Sequence, residues 1–208
     1  MRILFQGDSI TDTGRNYDDV KSLGNGYPKY VAELLRETYL DKSFEFINKG
    51  IGGHQTKDLL ARWQDEAVDL APDIMTLLVG INDTWHHAEK GDFISNELFE
   101  ANYRSLLEQM KKGTDAKIII MEPYVIDVGL HEDFHPDMDE KIRIIRRLAR
   151  EYAYEYIPLD GLFASASITE EPSFWSEDGV HPTEEGHKLI ADYCYNAICD
   201  IIDEFDMQ

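Results

Sequence analysis

Leu4-Phe5-Gln6-Gly7-Asp8-Ser9-Ile10-Thr11-Asp12 is the stretch on which the reading of the chain turns. The apolar run from Arg2 to Phe5 reads as a strand, and it breaks at Gly7. A strand that ends in Gly-Asp-Ser presents a hydroxyl at its C-terminal tip, which in open α/β sheets is where ligands bind. A serine there is also an ordinary turn or capping residue. Ser9 therefore becomes a catalytic candidate only if the rest of the chain supplies its context.

Outward from this stretch, short apolar runs alternate with longer helical patterns. Strands are expected at Arg2–Phe5, Phe44–Asn48, Ile74–Val79, Lys117–Met121 and Tyr156–Leu159. Helical spacing runs through Tyr27, Tyr30, Val31, Leu34 and Leu35, then through Leu59, Leu60, Trp63 and Ala67. It returns through Phe99, Tyr103, Leu106 and Met110, and through Met138, Ile142, Ile145 and Ala149. It is cleanest from Leu189 to Ile202. Such alternation predicts an α/β fold with a parallel sheet, both faces covered and right-handed crossovers. With no linker, repeat or low-complexity segment, residues 1–208 are expected to form one domain. The irregular stretches are Asp12–Asn25, Thr84–Ser95, Val125–His135 and Ser165–His181, and three of them follow strands.

A formal charge of −21 argues against nucleic acid and anionic membrane surfaces, both of which attract basic patches. No apolar run approaches a membrane span. Cys194 and Cys199 fall in one helical pattern at a spacing unsuited to a bridge, as expected for free thiols in a reducing compartment. A cytoplasmic location is expected. Long loops and an acidic surface suit either a monomer or a homo-oligomer.

Three strand tips carry chemistry. Strand 1 ends at Gly7-Asp8-Ser9, strand 2 runs into Gly50-Ile51-Gly52-Gly53-His54, and strand 3 ends at Gly80-Ile81-Asn82-Asp83. In a doubly wound sheet of order 2-1-3-4-5 they surround one small volume, because neighbouring strands lie about 4.8 Å apart. That volume would hold a hydroxyl, a glycine-rich backbone and an amide donor, the parts of an acyl-transfer site. Taken alone, the glycines read as a tight turn and Asn82-Asp83 as a turn or cap. The base must be a histidine. His181 lies in Asp178-Gly179-Val180-His181-Pro182, where a turn at Gly179 could fold the Asp178 carboxylate back onto the imidazole. Pro182 or Thr183 can open the last helix.

Gly7-Asp8-Ser9-Ile10-Thr11, Gly52-Gly53, Gly80-x-Asn82-Asp83 and Asp178-x-x-His181 together resemble the four sequence blocks of the GDSL-type SGNH hydrolases, in the family's order. The resemblance implies a three-layer α/β/α, flavodoxin-like fold around a five-stranded parallel sheet. It implies Ser9 as nucleophile, His181 as general base and Asp178 as orienting acid. The implied oxyanion hole consists of the Ser9 and Gly53 N–H groups and the Asn82 side chain. Further stretches, among them Thr11 to Arg15, Gly24 to Pro28, Arg62-Trp63, Thr84-Trp85 and Trp175 to Pro182, resemble intracellular carbohydrate acetylesterases, including acetylxylan esterase-like members. The implied substrate is a small acetyl ester on a sugar such as a xylo-oligosaccharide, with no cofactor or metal required.

Tyr27 and Trp85 could line a sugar pocket, although Tyr27 also fits a core position. Trp63 follows the helix period into the core, and Trp175 is placed to pack beneath the Asp178–His181 loop. Asp12 and Arg15 suggest a local ion pair. A thioesterase or lysophospholipase could use the same triad, but its long acyl channel fits poorly with loops carrying Asn25, Asn82, Trp85, His86 and His87. His131-Glu132-Asp133-Phe134-His135 matches the His-Glu-x-x-His pattern of zinc hydrolases, which requires a helix. Gly129 precedes it and Pro136 follows it, so a polar loop is expected there; His86-His87 likewise reads as a solvated loop. A non-catalytic sugar-binding module would have no need of the serine, histidine and aspartate set.

Overall fold

The computed structural model describes residues 1–88 and 90–207. Five strands form one parallel sheet: β1 (Arg2–Gly7), β2 (Glu45–Asn48), β3 (Ile74–Leu78), β4 (Lys117–Met121) and β5 (Glu155–Ile157). Their order is β2-β1-β3-β4-β5, so β1 lies between β2 and β3. The helices are α1 (Ser9–Asp12), α2 (Tyr27–Thr38), α3 (Thr56–Trp63), α4 (Ile81–Ala88), α5 (Asn96–Gly113), α6 (His135–Tyr152), α7 (Leu159–Ala166), α8 (Pro172–Trp175) and α9 (Glu184–Asp206). A π turn, Gln64–Val68, extends α3.

The period-2 alternation of each strand sorts its side chains into two cores. Ile3 and Phe5 of β1, Ile119 and Met121 of β4 and Ile157 of β5 pack with Val31 and Leu35 of α2 and Ile190, Ile198 and Ile201 of α9. Leu4, Met75, Leu77, Ile118 and Ile120 point the other way, against Leu59 and Trp63 of α3, Leu106 and Met110 of α5 and Ile145 and Leu148 of α6. The result is the expected three-layer α/β/α arrangement. The central strands are buried on both faces, which is why they read as continuous apolar runs. A third, smaller cluster of Ile81, Val125, Phe134, Met138, Ile142 and Val180 lies among α4, α6 and the β4–α6 connection.

Several local expectations need correction. The fifth strand stops at Ile157, not Leu159, because Pro158 has no N–H for the ladder and Leu159 already opens α7. Thr84 to Ala88 is helical, not irregular: Ile81, Trp85 and Ala88 form an apolar stripe at helix spacing against the third cluster. His135 adopts helical angles (φ −53°, ψ −47°) despite the proline that follows it. Pro136 stands in the first turn of α6, where no N–H is needed, and that position outweighs the usual bias of a pre-proline residue. Cys194 and Cys199 are both free, as expected. Among the described residues, no helix is long and apolar enough to cross a membrane.

Candidate active site

The turn after β1 positions Ser9. Asp8 caps α1 by accepting the Ile10 N–H at 3.1 Å, which makes Ser9 the first helical residue, with no acceptor for its own N–H inside the helix. The next strand holds this turn in place. Asn48, at the end of β2, donates from Nδ2 to the carbonyls of Thr11 (2.7 Å) and Leu23 (2.9 Å), while its Oδ1 accepts the Gly50 N–H at 2.8 Å. A Cβ on Gly50 would lie 2.7 Å from the Thr11 carbonyl carbon, so only glycine lets the two connections approach this closely. The Gly52 N–H is spent on Asp12 Oδ2 at 3.1 Å. The Gly53 N–H that follows, at φ +77°, has no acceptor among the described residues.

Asp178 and His181, the expected acid and base, come from the loop before α9. Ser9 Oγ lies 3.0 Å from His181 Nε2, and His181 Nδ1 lies 2.7 Å from Asp178 Oδ2. The other carboxylate oxygen, Oδ1, accepts the N–H groups of Val180 (2.9 Å) and His181 (2.7 Å). Burial alone would push the Asp178 carboxyl up. The His181 ring and these two N–H groups outweigh it and hold the group below its usual range. Fully buried Ser176 closes the turn: its Oγ lies 2.8 Å from the His181 carbonyl and 3.1 Å from Asp178 Oδ1. Ser176 also bridges to Pro182, and the Thr183 hydroxyl accepts the Gly186 N–H as the N-cap of α9.

Asn82 comes from the third tip, in the first turn of α4, and is only 6% exposed. Its Nδ2 donates to the His54 carbonyl at 3.2 Å, which orients the amide and leaves its second N–H available. Next to it the buried Asp83 carboxylate accepts from Thr56, and burial pushes Asp83 up to about 6 against those bonds and Lys141. The structure thus brings Ser9, His181 and Asp178 into one hydrogen-bonded line beside the Gly52-Gly53 turn. A Cβ on Gly52 would lie 3.9 Å from that of Ser9.

The sequence profile of the GDSL-like lipase/acylhydrolase family matches residues 5–189. The chain belongs to this family. An acetylxylan esterase from Geobacillus stearothermophilus is 32% identical over 198 residues, covering 91% of this chain and 90% of that protein. The crystal structure of an acetylxylan esterase from the same organism superposes with a TM-score of 0.86 at 31% identity, over 95% of this chain and 93% of that one. An uncharacterized lipoprotein from Bacillus subtilis is 26% identical over 135 residues, 59% of this chain and 56% of that protein. As a member of this family with such relatives, the protein is a carboxylic ester hydrolase.

Two of the remaining expectations fail. Tyr27 does not line a pocket: it is fully buried, its hydroxyl meets Thr11 Oγ1 at 3.0 Å, and its ring packs edge-on against Phe5. It opens α2, and the inward face of that helix claims it. Asp12 and Arg15 form no ion pair. Asp12 accepts the backbone N–H groups of Arg15 and Gly52 and the Tyr17 hydroxyl, while the Arg15 guanidinium donates to the Gly50 carbonyl and stacks on Tyr17. Trp85 does stand at the site, its ring centroid 5.6 Å from His181 and 4.7 Å from His131. Trp63 is core, with its indole N–H on the Leu106 carbonyl, and half-buried Trp175 packs on the α2–α9 core.

The His131–His135 segment is a 3₁₀ turn running into α6, with the His131 ring stacked on Phe134. No group of three or more His, Cys, Asp or Glu side chains among the described residues is placed to hold a metal. His87 Nδ1 pairs with Asp92 at 3.0 Å. Sequence reasoning missed the hydrogen bonds made by Ser176, Gln55, Thr56 and the Asp83 side chain, because none of these contacts has a sequence pattern of its own. Buried His187 is a further omission. It accepts the Tyr27 N–H at Nδ1 (3.3 Å), faces Thr13 Oγ1 through Nε2, and so ties the loop after Ser9 to α9.

Proposed function

We propose that the protein is a cytoplasmic serine esterase that removes acetyl groups from carbohydrates such as xylo-oligosaccharides. The observation that carries the mechanism is the line from Asp178 through His181 to Ser9 Oγ, with contacts of 2.7 and 3.0 Å. His181 Nε2 takes the hydroxyl proton as Ser9 Oγ attacks the ester carbonyl carbon. Negative charge collects on the carbonyl oxygen, where the N–H groups of Ser9 and Gly53 and the free amide N–H of Asn82 receive it. The imidazolium, steadied by Asp178, returns its proton to the departing sugar oxygen, and the C–O bond breaks. Water, giving its proton to the same nitrogen, then attacks the acetyl–Ser9 ester, and acetate leaves as Ser9 Oγ is reprotonated.

The carbohydrate assignment is supported by the acetylxylan esterase relatives and by the polar and aromatic mouth of the site, where Trp85 packs against both His181 and His131. The test is a series of p-nitrophenyl esters from acetate to octanoate, followed by acetylated xylo-oligosaccharides, on wild type and Ser9→Ala with and without chelator. Acetate is expected to be preferred, chelator to have no effect, and Ser9→Ala to lower kcat by at least about 10⁴-fold. A preference for octanoate moves the substrate to the lipase or thioesterase branch. Activity that survives Ser9→Ala overturns the serine mechanism.

A further inference from the structure

The two donors assigned to the oxyanion hole from outside the nucleophile turn belong to strands that do not touch. Gly53 follows β2 and Asn82 follows β3, and β1 separates them in the sheet. Their tips are therefore about 10 Å apart by strand spacing alone, and no ladder hydrogen bond fixes one against the other. Four other hydrogen bonds join these segments. Asn82 Nδ2 donates to the His54 carbonyl at 3.2 Å, and Gln55 Nε2 donates to the Asn82 carbonyl at 2.9 Å. The Thr56 N–H donates to Asp83 Oδ2 at 2.9 Å, and Thr56 Oγ1 donates to Asp83 Oδ1 at 2.6 Å.

The last two bonds put both carboxylate oxygens of one side chain on one residue. Asp83 is 1% exposed and Thr56 is fully buried, so water offers neither a replacement partner. Thr56 is the first residue of α3, and its N–H would otherwise be an orphan at the helix start. Its hydroxyl is oriented by Asn102 of α5, whose Nδ2 lies 3.4 Å away. The other side of Asp83 is anchored as well. The next residue, Thr84, donates to Asp137 of α6 at 2.6 Å, and Asp137 is paired with fully buried Lys141.

We propose that Asp83 is a positioning residue: by gripping Thr56 it sets the separation between the Gly53 N–H and the Asn82 amide, and with it the fit of the oxyanion hole to the transition state. The inference rests on the assignment of Gly53 and Asn82 to that hole. A carboxylate is the group this contact requires. An asparagine of the same size has one accepting oxygen, so either the N–H or the hydroxyl of Thr56 loses its acceptor. The two segments then separate by a fraction of an ångström. Donors placed in advance are sensitive to such shifts, since a misplacement of about 1 Å can cost about 100-fold in rate.

The test is p-nitrophenyl acetate hydrolysis by Asp83→Asn, Thr56→Val and Thr56→Ser, each also combined with Asn82→Ala, with folding checked by circular dichroism. Thr56→Val removes only the hydroxyl bond and serves if Asp83→Asn fails to fold. Asp83→Asn and Thr56→Val are expected to lower kcat about tenfold with KM within about twofold. Thr56→Ser keeps the hydroxyl and stays within about threefold of wild type. In the Asn82→Ala background both losses are expected to shrink to less than about twofold, because the hole they align is already broken. Losses that stay multiplicative in that background, that appear in KM alone, or that are as large in Thr56→Ser overturn the proposal. If Asn82→Ala by itself leaves kcat unchanged, it is the hole assignment that falls; a normal Asn82 effect with a neutral Asp83→Asn refutes the positioning role alone.

Discussion

The proposed acid–base arm and the proposed oxyanion arm of the site are built in opposite ways. Asp178, Val180 and His181 form one turn that satisfies its own hydrogen bonds, with Ser176 as its clasp, and the His181 and Asp178 side chains remain 48% and 36% exposed. Ser9, Gly53 and Asn82 come from three separate connections held by Asn48, Gln55, Thr56 and Asp83, and Asn82 and Asp83 are buried. The division follows from what each arm does. Donors for a developing charge act best when rigid and shielded from water. A base of the proposed kind, handing protons between serine, leaving group and water, must stay within reach of solvent.

This contrast breaks or holds at Asp178→Asn first. That variant keeps the turn's volume but presents an amide N–H to His181 Nδ1, so that Nδ1 accepts, the ring proton sits on Nε2, and no lone pair faces Ser9. A loss of about 10⁴-fold in kcat is expected, with the far-ultraviolet spectrum and Tm little changed, since the group is half-exposed. A loss below about tenfold would mean that His181 is oriented by something other than Asp178.

Asn82→Ala sharpens the comparison from the other side. It removes one donor from the buried arm, for an expected 10²- to 10³-fold loss in kcat and a small change in KM. It also strips the His54 carbonyl of its partner, so it is expected to cost about 1 kcal/mol of stability, which Asp178→Asn does not. Steady-state kinetics and thermal melts on the pair of variants read both differences. A change confined to KM would place Asn82 in substrate binding instead.

The same contrast explains what the sequence disclosed. Asp178-x-x-His181 could be read because the whole arm is local and a glycine marks its turn. The sheet order could be read because doubly buried strands leave unbroken apolar runs, and that order brings Ser9, Gly53 and Asn82 together. The contact between Thr56 and Asp83 could not be read, since it joins residues of two non-adjacent strand connections and nothing local names the partner of Asp83. Tyr27 was ambiguous for a related reason: periodicity places it on the inward face of α2 and says nothing of whether that face meets core or pocket. The His131 to His135 run misled in its geometry, because the position of Pro136 at a helix start is visible only once the helix is known.

The smallest expected effect concerns the pH dependence of stability, where buried groups on the two sides of Ser9 oppose each other. His187 clips the loop after Ser9 to α9, and burial, helped by the charge of His181, lowers it from 6.5 to about 4. Between those values the unfolded chain binds the proton and the folded one does not. This contribution is therefore complete above pH 6.5 and is lost as pH falls towards 4. Asp8, buried beside Ser9 with Oδ2 unpartnered, is pushed by burial from 3.8 up to about 7, against the Ile10 N–H and His181. Here the folded state holds the extra proton, so stability is lost as pH rises through the same window. Asp83, raised to about 6, adds to the second trend. With two groups on the second trend and one on the first, wild-type Tm is expected to fall by a few degrees between pH 4.5 and 6.5. Asp8→Asn, which keeps the cap on Ile10, leaves Asp83 opposed by His187 and is expected to flatten the profile, and His187→Asn is expected to steepen the fall by a few degrees. Melting curves at four pH values check both signs. Parallel slopes in the two variants would mean that neither group carries the charge balance around the Ser9 turn, and that the acidic surface alone sets the response.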